Sequence, residues 1–182
     1  MAERATKGAV PLRTALRTPL TAEDGLDLTL IELFFFAYRD FTSDPDQMLA
    51  DLGMGRAHHR VLHFINRMPG LTVAELLDVL KITKQSLARV LKQLIDTGHV
   101  VQIPGPLDRR QRMLYPTREG RDLALALAMP QSRRIGAALE SADPGERQAV
   151  EAFLKRMVDA DWRGRLGGDG AHGGFGRSMK EA

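Results

Sequence analysis

The sequence predicts a mainly α fold carrying one small β-hairpin, an α+β arrangement in which further helices flank a compact helical centre. Three observations carry this expectation. Apolar residues recur at helical spacing through most of the stretch from residue 27 to residue 158. Thr72, Thr83, Thr117 and Asp143 each stand where a helix N-cap belongs, with an oxygen able to accept from an exposed backbone N–H. The one interruption is Val100-Val101-Gln102-Ile103, a Pro104-Gly105-Pro106 turn, and Met113-Leu114-Tyr115, which read as two short strands.

Residues 1–25 contain Pro11, Pro19 and Gly25 without apolar periodicity, and read as a flexible basic arm bearing Arg4, Lys7, Arg13 and Arg17. Asp27 to Phe41 is helical and apolar almost all round (Leu28, Leu30, Ile31, Leu33, Phe34, Phe35, Phe36, Tyr38, Phe41), so it must be buried on most faces, in a core or between subunits. Ser43-Asp44-Pro45 is expected to break it, with a short second piece from Asp46 to Leu52 ending at Gly53. A helix from about Arg56 to Arg67 stops at Pro69-Gly70. Thr72 and Glu75 then form a capping box for a helix that turns Val73, Leu76, Leu77 and Leu80 inward. After Lys81-Ile82, Thr83 caps a helix whose Leu87, Val90, Leu91, Leu94 and Ile95 form one apolar stripe; Gly98 ends it in a left-handed turn. Beyond the hairpin, a helix from Thr117 is expected to kink or break at Pro130 and to resume through Ile135 and Leu139. Asp143-Pro144, with Glu146 at N3, opens a last helix with the stripe Val150, Phe153, Leu154, Met157, Val158. Seven of the twenty residues from Arg163 onward are glycine, which predicts a disordered tail over residues 163–182. One domain over residues 26–162 is therefore expected.

Charge is distributed unevenly. The net charge is +3, yet Lys81 to Arg121 holds nine cations against Asp96, Asp108 and Glu119, leaving the remainder at −3. A basic segment in an otherwise acidic chain suits a polyanion-binding face, although a solvated surface would show the same count. The absence of cysteine removes disulfides, thiolate metal sites, a cysteine nucleophile and thiol redox sensing. No apolar run approaches a membrane span, and MAERATKGAV lacks the apolar centre of a secretory signal, so a cytoplasmic location is expected.

Two helices joined by a brief turn, followed by two strands with a basic tip, make a winged helix-turn-helix over about residues 54–120. The apolar stripe of the second helix (83–97) leaves Lys84, Gln85, Ser86, Arg89, Lys92 and Gln93 on the other face, the groups that hydrogen-bond phosphates and base edges. Gln85, Ser86 and Arg89, near its start, are the base-contact candidates; Lys84 and Lys92 suit phosphates, and Thr83, the cap, is a further DNA-contact candidate. The wing (104–112) adds Asp108, Arg109, Arg110 and Arg112.

The run Asp108-Arg109-Arg110 followed by Pro116-Thr117-x-x-Gly120, together with TVAELLDVLKITKQSLARVLKQLIDTGHV before it, resembles the MarR family of regulators over about Asp27 to Trp162. GRAHHRVLHFINRMPGLTVAELL, with FFFAYRDFTSDPD before it, looks like the PetP branch of that family. The resemblance implies a homodimer that binds double-stranded DNA, with Arg110 in the minor groove and Asp108 holding it through a salt bridge. Two positions depart from the family pattern: Pro116 stands where leucine is usual, and Lys81 stands where glycine is common, which strains the turn if it is left-handed.

His59 and His63, with His58 adjacent, have the i, i+4 spacing of a metal pair but no third ligand on their helix. No phosphate loop, GxSxG or HExxH is present, so enzyme chemistry has no support and no cofactor is implied. Alternatives left open at this level are a winged helix turned protein-interaction module, a metal- or ligand-responsive sensor, and a small enzyme using the histidines. An unidentified small-molecule effector also stays open.

Overall fold

Residues 19–106 and 108–159 are described by the computed structural model. The expected basic arm through residue 18, Leu107 and the glycine-rich segment 163–182 lie outside the described residues. Helices α1 (Leu28–Ala50) and α2 (Arg56–Arg67) precede the two-residue strand β1 (Leu71–Thr72), α3 (Val73–Leu80) and α4 (Lys84–Asp96). Strands β2 (Val100–Pro104) and β3 (Arg112–Pro116) follow, and α5 (Arg118–Ala138) and α6 (Pro144–Met157) complete the order. The described residues fall into two units divided after Tyr38.

In the first unit, Thr21 N–H donates to Asp24 Oδ2 at 2.8 Å in a short 3-10 turn that Gly25 ends with φ 76°. Asp27 then caps α1, accepting from Leu30 N–H at 3.1 Å. This stretch of α1 exposes Leu30, Leu33, Phe35, Phe36 and Tyr38, Phe35 to 69%. So much apolar surface in water is costly, at about 25 cal/mol per Å².

In the second unit α1 continues through Pro45 to Ala50, where the sequence predicted a break. Proline removes the N–H that would serve the Phe41 carbonyl. The side-chain amide of Gln131 on α5 supplies the missing donor, Nε2 to Phe41 O at 3.3 Å, and Pro45 is buried. α5 likewise is one continuous helix through Pro130, so of the kink or break expected there the break does not occur. The carbonyl this proline leaves unserved belongs to Ala126, an exposed residue. At Pro45 a tertiary contact thus replaces the bond that proline removes.

The core gathers Leu49, the α2 stripe Val61, Leu62 and Ile65, Leu76 and Leu80 of α3, the α4 stripe, Val100, Leu114 and Leu127. The sheet has the order β1-β3-β2, all antiparallel, with Leu71 opposite Leu114 and Val101 opposite Tyr115. Strand β1 was not expected from the sequence: two residues show no alternation, and pairing with β3 creates them. Asp143 and Glu146 form the expected reciprocal cap on α6, at 2.8 and 2.9 Å. The α6 stripe, however, stays open: Val150, Leu154 and Met157 are exposed. No described helix is long and apolar enough to cross a membrane.

Candidate nucleic-acid interface

Helix α3 begins as the sequence predicted, with Glu75 N–H donating to Thr72 Oγ1 at 3.2 Å and Thr72 N–H to Glu75 Oε2 at 2.8 Å. Lys81 ends it in the left-handed region, φ 49° and ψ 45°, the strained geometry anticipated for a residue standing where glycine fits better. Arg60 on α2 reaches this turn and donates from Nη2 to the Leu80 carbonyl at 3.0 Å. A cation on carbonyls that a helix end leaves unpaired also complements the helix dipole.

Thr83 then starts α4. Its Oγ1 accepts from Ser86 N–H at 3.2 Å while its hydroxyl donates to Ser86 Oγ at 2.9 Å. Leu87, Val90, Leu91 and Leu94 are buried on one face, and Thr83, Lys84, Gln85, Ser86, Arg89 and Lys92 are exposed on the other. Lys92 is ion-paired with Asp96 one turn on, with both side chains exposed. Such a pair is worth about 0–1 kcal/mol, so a phosphate can displace the carboxylate.

Gln93 departs from the exposed face the periodicity assigned it: it is half-buried, its Nε2 donating to the Gly53 carbonyl at 3.0 Å and its Oε1 lying 2.9 Å from His58 Nε2. His59, one residue on, is buried, and burial first, then the nearby His63, pushes its pKa below the usual histidine value. Among the described residues no three His, Cys, Asp or Glu side chains gather as a metal site.

Strands β2 and β3 carry the wing, whose Asp108, Arg109, Arg110 and Arg112 are all exposed. The salt bridge implied between Asp108 and the Arg110 guanidinium is not among the ion pairs of the described residues. Instead Asp108 Oδ1 accepts from the Arg110 backbone N–H at 2.9 Å, and Gln111 N–H donates to Asp108 O at 3.1 Å. Two residues of separation place a short carboxylate against the i+2 backbone more readily than against a long side chain. Asp108 therefore shapes the tip. Gly105 permits the fold-back, since a Cβ there would lie 2.8 Å from Asp108 O.

At the wing's root, Thr117 Oγ1 donates to Gly98 O at 2.7 Å and Thr117 N–H to His99 O at 3.1 Å. Gly120 N–H returns to Thr117 Oγ1 at 3.0 Å. A Cβ on Gly120 would sit 1.9 Å from His99 O, so only glycine lets α5 press against this turn. Sequence reading singled out Thr117 and Gly120 as a motif but missed their partners, and it missed Arg60 and His58. No local signal announces these contacts, because each joins residues far apart in the chain.

A sequence profile of the MarR family matches residues 52–111. The HTH-type transcriptional regulator PetP of Rhodobacter capsulatus is 51% identical over 128 residues, covering 68% of this chain and 77% of that protein. A MarR protein from Peptoclostridium difficile superposes with a TM-score of 0.63 at 23% identity, over 78% of this chain and 92% of its own. A MarR family regulator from Listeria monocytogenes, solved in complex with a 26-mer DNA, gives a TM-score of 0.61 at 20% identity, over 70% of this chain and 85% of its own.

Proposed function

This chain belongs to the MarR family, and from that premise we propose that it is a homodimeric, sequence-specific regulator of transcription that works in the cytoplasm without catalysing a reaction. The observation that carries this reading is the division of α4, whose buried stripe fixes it in the core while Lys84, Gln85, Ser86, Arg89 and Lys92 face outward. Such a face suits a major groove, and the exposed Arg109, Arg110 and Arg112 beyond it suit an adjacent minor groove, whose narrow floor concentrates negative potential. The DNA complex of the Listeria neighbour supports the same use of this fold. Dimerisation follows from apolar surface that one chain leaves in water: Phe35 and Phe36 on α1, Leu125 and Met129 on α5, Leu154 and Met157 on α6. A two-fold dimer reads two half-sites about one helical turn apart, so its operator is an imperfect palindrome.

Within the face, Lys84 and Lys92 hold phosphates, while Arg89 reads guanine and Gln85 adenine through paired hydrogen bonds. The experiment compares alanine variants on a wild-type-selected genomic fragment and on scrambled DNA at several salt concentrations. Loss of Lys84 or Lys92 weakens both DNAs alike and lowers the salt slope by about one per phosphate contact. Loss of Arg89 or Gln85 costs roughly 1–3 kcal/mol per contacted base pair on the selected fragment alone. Equal loss on both DNAs for Arg89→Ala would make Arg89 a backbone contact.

A further inference from the structure

Four groups join the start of α2 to the recognition helix: Gly53 O, Gln93, His58 and Gly55 N–H. A carbonyl can only accept, so the Gln93 group 3.0 Å from Gly53 O is its amide nitrogen. That turns Gln93 Oε1 toward His58 Nε2 at 2.9 Å, and the ring must donate there. His58 Nδ1 is then left to accept, and it does so from Gly55 N–H at 3.1 Å, satisfying a backbone donor that the start of α2 leaves free. Each of the three bonds thus pairs one donor with one acceptor in a single arrangement, with a ring proton on His58 Nε2 and Nδ1 accepting.

The position of Gln93 gives the chain its consequence. Gln85, Arg89 and Gln93 are spaced four apart and form one row along α4. The buried stripe, Leu87, Val90, Leu91 and Leu94, holds the helix against the core through contacts that have no preferred direction. Hydrogen bonds are directional, and those at Gln93 fix the roll of the helix at the end of the row that carries the base-reading side chains. Resting on the DNA-reading role of α4, we infer that His58 and Gln93 are positioning residues. They set how well Gln85 and Arg89 meet base edges, without themselves touching DNA.

The test uses the full chain, a genomic fragment selected by the wild type, and a scrambled fragment of equal length. His58→Ala and Gln93→Ala should each bind the selected fragment about tenfold more weakly, the scale of one or two net hydrogen bonds. The double variant should be no worse than either single variant, and binding to scrambled DNA and the salt slope should not change. His58→Gln offers an acceptor and a donor on one carbon and should restore most of the affinity. If Gln93→Ala weakens binding while His58→Ala does not, Gln93 touches DNA itself and the inference fails. It fails equally if both variants bind like the wild type, or if both weaken scrambled DNA to the same extent. A wild type that selects no fragment removes the DNA reading and this inference with it. Imidazole 15N shifts of the unliganded wild type give a check independent of DNA and of variant folding: Nε2 should carry the proton, and the opposite tautomer overturns the chain of bonds.

Discussion

Replacing Gly120 with alanine adds one methyl group at the third residue of α5, where an isolated helix would welcome it. Alanine favours helix over glycine by about 1 kcal/mol. Here the new Cβ would lie 1.9 Å from His99 O and 2.8 Å from its carbonyl carbon, whereas real contacts keep at least 3.0 Å. The start of α5 must therefore move by at least 1.1 Å, from 1.9 to 3.0 Å, because both sides of the clash are backbone. That movement stretches Thr117 N–H to His99 O, now 3.1 Å, and Thr117 Oγ1 to Gly98 O, now 2.7 Å. Two weakened bonds at about 1 kcal/mol each and residual strain of about 1–3 kcal/mol, less the gain of about 1 kcal/mol in helix propensity, put the net loss at about 2–4 kcal/mol. For a chain of this size that is a fall in Tm of roughly 5–15 °C. The assay is a thermal melt at fixed protein concentration, since dimerisation makes Tm depend on concentration. The sign decides the matter. A Tm equal to or above that of the wild type would mean that helix propensity governs the position and that the close approach is not a constraint.

Lys81→Gly should raise stability by up to about 1 kcal/mol, since glycine enters the left-handed region without the cost a side chain bears; an unchanged or lower Tm would deny the strain at φ 49°. Burial holds the His59 pKa below 6.5, so the unfolded chain takes up that proton first. Stability is therefore full above pH 6.5 and is lost as pH falls from there toward the folded-state pKa; His59→Gln should flatten this acid limb in melts between pH 7.5 and 5.5, and an unchanged limb would show that His59 does not cause it. Arg110→Ala should weaken operator binding about tenfold or more with Tm nearly unchanged, because the side chain is exposed; binding equal to the wild type would remove it from the minor groove. Asp108→Ala should weaken binding less, through a looser tip, and restoring the carboxylate as Asp108→Glu should not recover the lost affinity if the 2.9 Å bond to Arg110 N–H depends on the shorter side chain.

Local rules were sufficient wherever a helix announces its own ends. Thr72 with Glu75, Thr83 with Ser86 and Asp143 with Glu146 cap as read, and the α4 stripe is buried as its spacing predicted. The readings that failed concern bonds supplied from elsewhere. Pro45 reads as a breaker because its missing N–H is a local fact, while Gln131, which serves the Phe41 carbonyl, lies 90 residues away. Strand β1 exists through its pairing with β3, and Gln93 leaves the solvent face because His58, 35 residues earlier, takes its amide oxygen. At the site, periodicity could sort residues by face but could not separate a side chain free to bind from one already bound. Asp108 shows the same limit: the family resemblance implied a charge pair with Arg110, and its geometry favours a backbone hydrogen bond.

Footprinting on a wild-type-selected genomic fragment, combined with interference by methylation at guanine N7, tests the placement of α4 and the wing most directly. The account predicts two symmetric protected half-sites about one helical turn apart, with interference at a major-groove guanine in each and relief of that interference in Arg89→Ala. Protection that follows no sequence, or interference that Arg89→Ala leaves unchanged, would contradict it.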